Sequence, residues 1–345
     1  MGAPVKVALI HRFGPPEVLS ICEVPTPPVG DTDVLIRTEA IGLNFADIFA
    51  RLGFYPAIPK PPFVPGIELS GVVEKKGKSV RDLKTGDRVL AFTRQHGYAE
   101  YVSVPSGQVA RVPRQMGFKE AAAFGVTSLT AYHGLVTLGN MKKGDRVLLH
   151  AAAGGVGIAS LQLARHVGAD VHATVGSDSK MDLVRSLGAE TVTNYSEDDF
   201  AEPVRIATNG EGVDIVFDSV GGRVFRKGWK LLAPMGRYVL FGFAAVANHN
   251  GIGKLRAARE SLSVPLIYPP ALVSKNVSLM GFNLYFLMQK KEYLRRAMKI
   301  LFRLYARGVL RPVIGAEYPF DKIADAHRFL QSRKSVGKVV VMMGR

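Results

Sequence analysis

One cysteine, Cys22, one tryptophan, Trp229, and 29 acidic residues against 45 basic ones are what this 345-residue chain has least of. A single thiol excludes both a disulfide framework and a cysteine metal cage within the chain, and it fits a reducing, cytoplasmic setting. The eight histidines show no close pairing at metal-ligand spacing. No stretch reads as long or apolar enough to span a bilayer. The first residues lack the basic-then-apolar order of a secretory signal. Internal repeats and low-complexity tracts are absent too. Apolar residues are not in short supply: at 47% they are ample for burial, and the length suits two globular domains.

The formal charge of +16 favours anionic ligands, nucleic acid or acidic membrane surfaces without choosing among them. The densest basic stretch, residues 289–311, carries Lys290, Lys291, Arg295, Arg296, Lys299, Arg303 and Arg307. Leu294, Met298, Leu301, Leu304 and Tyr305 recur within it at helical spacing, giving one apolar and one basic face. Such a helix either docks on the protein's own core or attaches peripherally to an anionic membrane. A nucleic-acid partner is not expected, because no reading module or stacking platform accompanies the charge.

Residues 1–124 read as short strands broken by Gly and Pro, at 5–10, 34–40, 71–75, 88–92, 99–104 and 108–112, which predicts an irregular β-barrel. Residues 125–286 alternate strands with helices instead. Apolar runs at 147–150, 171–175, 191–194, 215–218, 238–241 and 278–281 predict a doubly wound parallel sheet, with its crevice at the strands' carboxyl ends. The remainder, 287–345, ends in a helix at 323–331 and a strand at 338–342 and is expected to complete the first domain.

Between a strand-like segment ending at His150 and a helix-like one starting at Ile158 lies Ala151-Ala152-Ala153-Gly154-Gly155-Val156-Gly157. Glycines let the backbone approach a dinucleotide pyrophosphate, and the amino end of the following helix receives its charge. About twenty residues on, the second strand of this unit runs into Gly176-Ser177 rather than into an acid. That leaves room for a 2′-phosphate and points to NADPH. Asp178, two residues further, keeps NADH open.

Gly42-Leu43-Asn44-Phe45-Ala46-Asp47, Pro65-Gly66-Ile67-Glu68, Thr130-Ala131-Tyr132, the run from His150 to Gly157, and Val336-Gly337-Lys338-Val339 together resemble the medium-chain dehydrogenase/reductase superfamily. The resemblance is to its zinc-independent quinone oxidoreductase branch and, through Leu279-Met280-Gly281-Phe282-Asn283-Leu284, to the synaptic vesicle membrane protein VAT-1 group. It covers nearly the whole chain. It implies an α/β protein with a GroES-like β-barrel domain, a Rossmann domain and a cleft between them. Where zinc enzymes of the superfamily place Cys, His and Cys, this chain has Asn44, Ile67 and Val126, so no metal is expected.

The resemblance also implies the site. Asn44 is set beside the nicotinamide or the substrate oxygen, although a turn would use an asparagine equally well. Tyr55 is set at the substrate mouth, either donating to a developing oxyanion or simply packing. Asp47 supports the loop. Cofactor contacts are implied for Gly154, Gly155, Val156 and Gly157 at the pyrophosphate, and for Gly176, Ser177, Lys180 and Tyr195 at the 2′-phosphate. Thr130, Ser219, Val220, Phe241, Gly242, Phe243, Asn283 and Lys338 complete the ring, with Thr130 placed at a helix start. The implied reaction is hydride transfer from NADPH to a quinone or α,β-unsaturated carbonyl. The alternative is a VAT-1-like lipid- or membrane-associated binding protein with little reductase activity. Family members pair through the sixth Rossmann strand, which implies a homodimer, and residues 244–275 read as a flap over the cleft.

Overall fold

The computed structural model describes residues 3–55, 58–246, 259–260 and 262–344. Most of the expected flap, 247–258 and residue 261, therefore lies outside the described residues. In the first domain β1 (Pro4–Ile10) and β2 (Leu19–Pro25) form an antiparallel pair. A seven-stranded sheet is organised around β3 (Asp33–Leu43), which pairs antiparallel with β4 (Glu68–Lys76), β6 (Tyr101–Pro105) and β15 (Lys338–Met342). β5 (Arg88–Phe92) and β7 (Val109–Arg111) extend it beyond β4, and β14 (Ile314–Pro319) lies parallel outside β15. β3 is buried almost continuously because both its faces are covered. β2 and β14 were not anticipated. Their inward residues are only half-buried, and Ser, Glu, Gly and Pro in them mask the period of two.

The second sheet has the order β10-β9-β8-β11-β12-β13 and is parallel throughout. Its strands are β8 (Arg146–Leu149), β9 (Asp170–Val175), β10 (Thr191–Asn194), β11 (Val213–Asp218), β12 (Leu232–Leu240) and β13 (Ser278–Gly281). This is the doubly wound arrangement, and strand order reverses between β8 and β11, where the ligand crevice opens. β12 begins six residues earlier than the apolar pattern indicated, because Pro234 and Gly236 interrupt that pattern.

The helix α2 (Phe118–Ala131) joins the two sheets and spans the expected 124/125 boundary. It packs on β3, β4 and β15 on one side and on α3 (Gly155–Val167) on the other. With its continuation to Leu138 it is long and apolar enough to cross a membrane, which corrects the sequence expectation. Its apolarity serves the protein's own interior, since 78% of the apolar window is buried. The helix Lys291–Ala306 docks in the same way: Leu294, Met298, Leu301 and Tyr305 are buried, and Phe302 stacks on Phe124 of α2 with ring centroids 5.8 Å apart. Its apolar face is thus occupied, and Arg295, Arg296, Lys299 and Arg303 are exposed.

Candidate active site

The glycine-rich turn lies where the parallel sheet reverses. Gly154 caps α3, so the first-turn N–H groups, which have no acceptor inside the helix, form an anion-receptive end. A Cβ on Gly157 would lie 2.4 Å from the Ala152 carbonyl oxygen and 2.6 Å from that of Ala151, both backbone atoms. Only glycine lets α3 start this close to the strand. Gly157→Val is therefore expected to displace the first turn and weaken binding of a nicotinamide dinucleotide by ~100-fold or more, about 2.7 kcal/mol, read by fluorescence titration.

The neighbouring strand ends meet at the same crevice. The Ala244 N–H donates to the Ser219 carbonyl (3.0 Å) and the Ala245 N–H to that of Val220 (2.9 Å). Gly242 fits against Ser219, whose oxygen would be 2.7 Å from a Cβ there. The Phe241 ring packs between Phe217 and Phe282, at 4.2 and 5.7 Å, whereas Phe243 is exposed.

At the end of β9 the structure brings Gly176 and Tyr195 together, whereas the side chains of Ser177 and Lys180 have other partners. A Cβ on Gly176 would come within 2.9 Å of the Tyr195 hydroxyl. Ser177 Oγ bonds with Ser179 Oγ at 3.0 Å. Lys180 is not a solvated residue of the first helical turn. It is buried, burial lowers its pKa, and its Nζ donates to the Arg333 carbonyl at 2.6 Å. Asp178 turns its carboxylate to Asn194, accepting from Nδ2 at 3.0 Å.

The inner site is built on β3, the start of α1 (Phe45–Arg51), β4 and β15. Lys338 Nζ donates to Asn44 Oδ1 (2.6 Å) and to Glu68 Oε2 (2.7 Å). Asn44 Nδ2 donates to the Gly42 carbonyl (3.0 Å) and to Glu68 Oε2 (3.3 Å), so its amide orientation is fixed from both ends. The other Glu68 oxygen accepts the Val126 N–H at 2.6 Å. Asn44 and Val126, two of the positions set against zinc ligands, thus meet on Glu68, and the cation between the strands is an ammonium. The motif Pro65-Gly66-Ile67-Glu68 does not by itself reveal this role of Glu68. Its only visible signal is a carboxylate in an otherwise apolar strand start.

Asp47 accepts the Asn44 N–H at 2.8 Å and closes the amino end of α1, the supporting role expected of it. It is 1% exposed, its Oδ1 has no hydrogen-bond partner, and burial pushes its pKa up to about 7. Tyr98 and His327, bonded to each other at 2.9 Å, are buried in the same domain. At the mouth, the Tyr55 hydroxyl donates to Asn283 Oδ1 at 2.8 Å, and burial raises the phenol to about 12, so it stays protonated. Thr130 departs from expectation. It lies in the last turn of α2, not at a helix start, and its hydroxyl donates back to the Val126 carbonyl at 2.6 Å.

Residues 30–114 match the alcohol dehydrogenase GroES-like domain and residues 187–341 the zinc-binding dehydrogenase domain. The chain is 36% identical to the VAT-1 homolog of Rattus norvegicus over 99% of its own length and 85% of the relative's. It is 30% identical to the quinone oxidoreductase of Homo sapiens over 98% of each. The chain belongs to the medium-chain dehydrogenase/reductase superfamily, in the branch of the quinone oxidoreductases and VAT-1 proteins. The crystal structure of Escherichia coli quinone oxidoreductase complexed with NADPH superposes with a TM-score of 0.87 at 30% identity, covering 98% of this chain and 100% of that one. These matches bear out the barrel-plus-Rossmann architecture. One family model is named for zinc, but Asn44, Ile67 and Val126 do not supply zinc's thiolate and imidazole donors. Among the described residues no group of three or more His, Cys, Asp or Glu side chains could hold a metal ion.

Proposed function

We propose that this chain is an NADPH-dependent, zinc-independent reductase of quinones or α,β-unsaturated carbonyl compounds. The observation that supports the reading is that the glycine turn of α3 adjoins the Asn44–Lys338–Glu68 triangle, a Cβ on Gly155 lying 3.7 Å from Lys338 Cδ. Two similar structures, a mycobacterial protein and the Escherichia coli quinone oxidoreductase, are complexes with NADPH, which supports the choice of cofactor. Gly154, Gly155, Val156 and Gly157 would hold the pyrophosphate, and Gly176, Ser177, Lys180 and Tyr195 the 2′-phosphate. Asp178 is held by Asn194, which favours NADPH over NADH. The cofactor supplies a hydride when bound.

The protein's own groups then do the rest. Asn44, locked by Lys338, Gly42 and Glu68, presents a fixed amide face at the reacting end. Tyr55 keeps its proton at neutral pH and donates it as a hydrogen bond toward oxygen that gains negative charge. That single proton rests on Asn283 Oδ1 in this structure, so the O–H turns from Asn283 to the substrate oxygen when it acts. Water protonates the product oxygen. A homodimer is part of the proposal, placed at the open edge of β13, which pairs only with β12 among the described residues.

The test is NADPH oxidation across a panel of quinones and enones. Turnover with at least one acceptor is expected, and Tyr55→Phe is expected to lower kcat by ~10- to 100-fold. Asn44→Ala should lower it further. An inactive protein that anionic vesicles retain in a salt-sensitive manner would favour the membrane-associated binding role, which the exposed basic face of Lys291–Ala306 supports.

A further inference from the structure

Arg94 follows β5 in a segment pinned to the loop before Glu68. The Thr93 N–H donates to the Ile67 carbonyl (2.9 Å) and the Thr93 hydroxyl to that of Gly66 (2.7 Å). Its guanidinium carbon lies 5.1 Å from the centre of the Tyr285 ring. Tyr285 in turn meets Tyr55 edge-on, with centroids 6.0 Å apart. The cation therefore stands one ring away from the proposed oxyanion donor. Its Nε is buried without an acceptor, and no carboxylate among the described residues pairs with it.

Other buried or partly buried arginines here have oxygen acceptors: Arg51 donates to the Gly14 carbonyl and the Gln331 side chain and Arg88 to the Arg114 and Met116 carbonyls, while three more pair with acids. Arg37 pairs with Glu39, Arg146 with Asp214 and Arg237 with Asp145. A buried donor left unpaired is unfavourable, and the ring face of Tyr285 offsets only part of that. A planar guanidinium fork matches a carboxylate with two parallel hydrogen bonds, so the missing partner is an oxyanion. The chain's overall positive charge draws such ligands toward it.

We infer that Arg94 anchors a carboxylate on the acceptor, so that the substrates are unsaturated keto acids or carboxylated quinones rather than neutral ones. The inference rests on the reductase reading and deepens it. The carboxylate sits on Arg94 while the reducible carbonyl oxygen faces Tyr55.

The test compares 2-methyl-1,4-naphthoquinone with the same ring bearing a propionate. The wild-type protein is expected to show a KM at least ~10-fold lower for the propionate compound. Arg94→Gln should raise that KM by ~10- to 100-fold while leaving kcat and the neutral quinone's KM within about twofold, and Arg94→Lys should restore part of the difference. Calorimetric titration of the propionate compound into protein saturated with NADP⁺ reads the subsite without turnover. Tighter binding to wild type than to Arg94→Gln supports the anchor even if no NADPH is oxidised, in which case only the reductase reading falls. Equal binding to both proteins, or equal effects on the two quinones, overturns it.

Discussion

Lys338→Met is expected to lower the free energy of unfolding by about 3–5 kcal/mol, because it strands a carboxylate in the interior. The side chains of Lys338 and Glu68 are 4% and 0% exposed, so water cannot replace the lost partner. Glu68→Gln should cost a comparable amount, since with its oxygen on the Val126 N–H its amide NH2 would face the Lys338 ammonium, which is then stranded in turn. The double substitution should be less damaging than the sum of the singles, as expected when two partners are removed together. Urea denaturation of the four proteins measures all three statements. A loss below about 1 kcal/mol for Lys338→Met would mean that the ammonium does not hold this site together. Activity should fall as well, because Asn44 Oδ1 loses its donor and the amide is then fixed from one end only.

Asp47→Asn should stabilise the protein increasingly as pH rises. In the unfolded chain this carboxyl ionises near 3.8, and in the fold burial pushes it up to about 7. Below both values the two states are protonated and the group is neutral to stability. Between them the unfolded chain has released a proton that the native state retains, so unfolding becomes easier by about 1.4 kcal/mol per pH unit. Above about 7 the deficit is constant. The asparagine keeps an oxygen for the Asn44 N–H and does not titrate. Denaturation at pH 4.5 and 7.5 should therefore show the advantage of Asp47→Asn over wild type growing by about 3 kcal/mol. An advantage that does not change with pH would show that Asp47 ionises in the fold as freely as in solution.

Much of the architecture was legible because apolar periodicity reports burial directly. The helix Ile323–Gln331 and the strands Arg88–Phe92, Thr191–Asn194, Ser278–Gly281 and Lys338–Met342 have the bounds their patterns gave. β2 and β14 escaped because they are half-exposed, and the start of β12 because a proline and a glycine interrupt it. Single-residue chemistry was legible where a motif carried it, as at Gly157 and Asn44. The rest depends on partners far along the chain. Nothing near Lys338 in sequence shows that its ammonium ends on Glu68, 270 residues away, and nothing near Lys180 announces the Arg333 carbonyl. Thr130 was misplaced because its helix begins twelve residues earlier, among small alanines that blur an amphipathic signal.

The position of β15 bears on how the protein is made. Val339, Val340 and Val341 are fully buried between β14 and β3, and Gly337, just before them, donates to the Ala153 carbonyl in the phosphate turn. β3 leaves the ribosome nearly 300 codons before the neighbour that completes its ladder, so the barrel waits with an unfilled slot while the parallel sheet is translated. Nascent chains stalled in that interval carry an exposed ladder edge, which makes them candidates for chaperone capture.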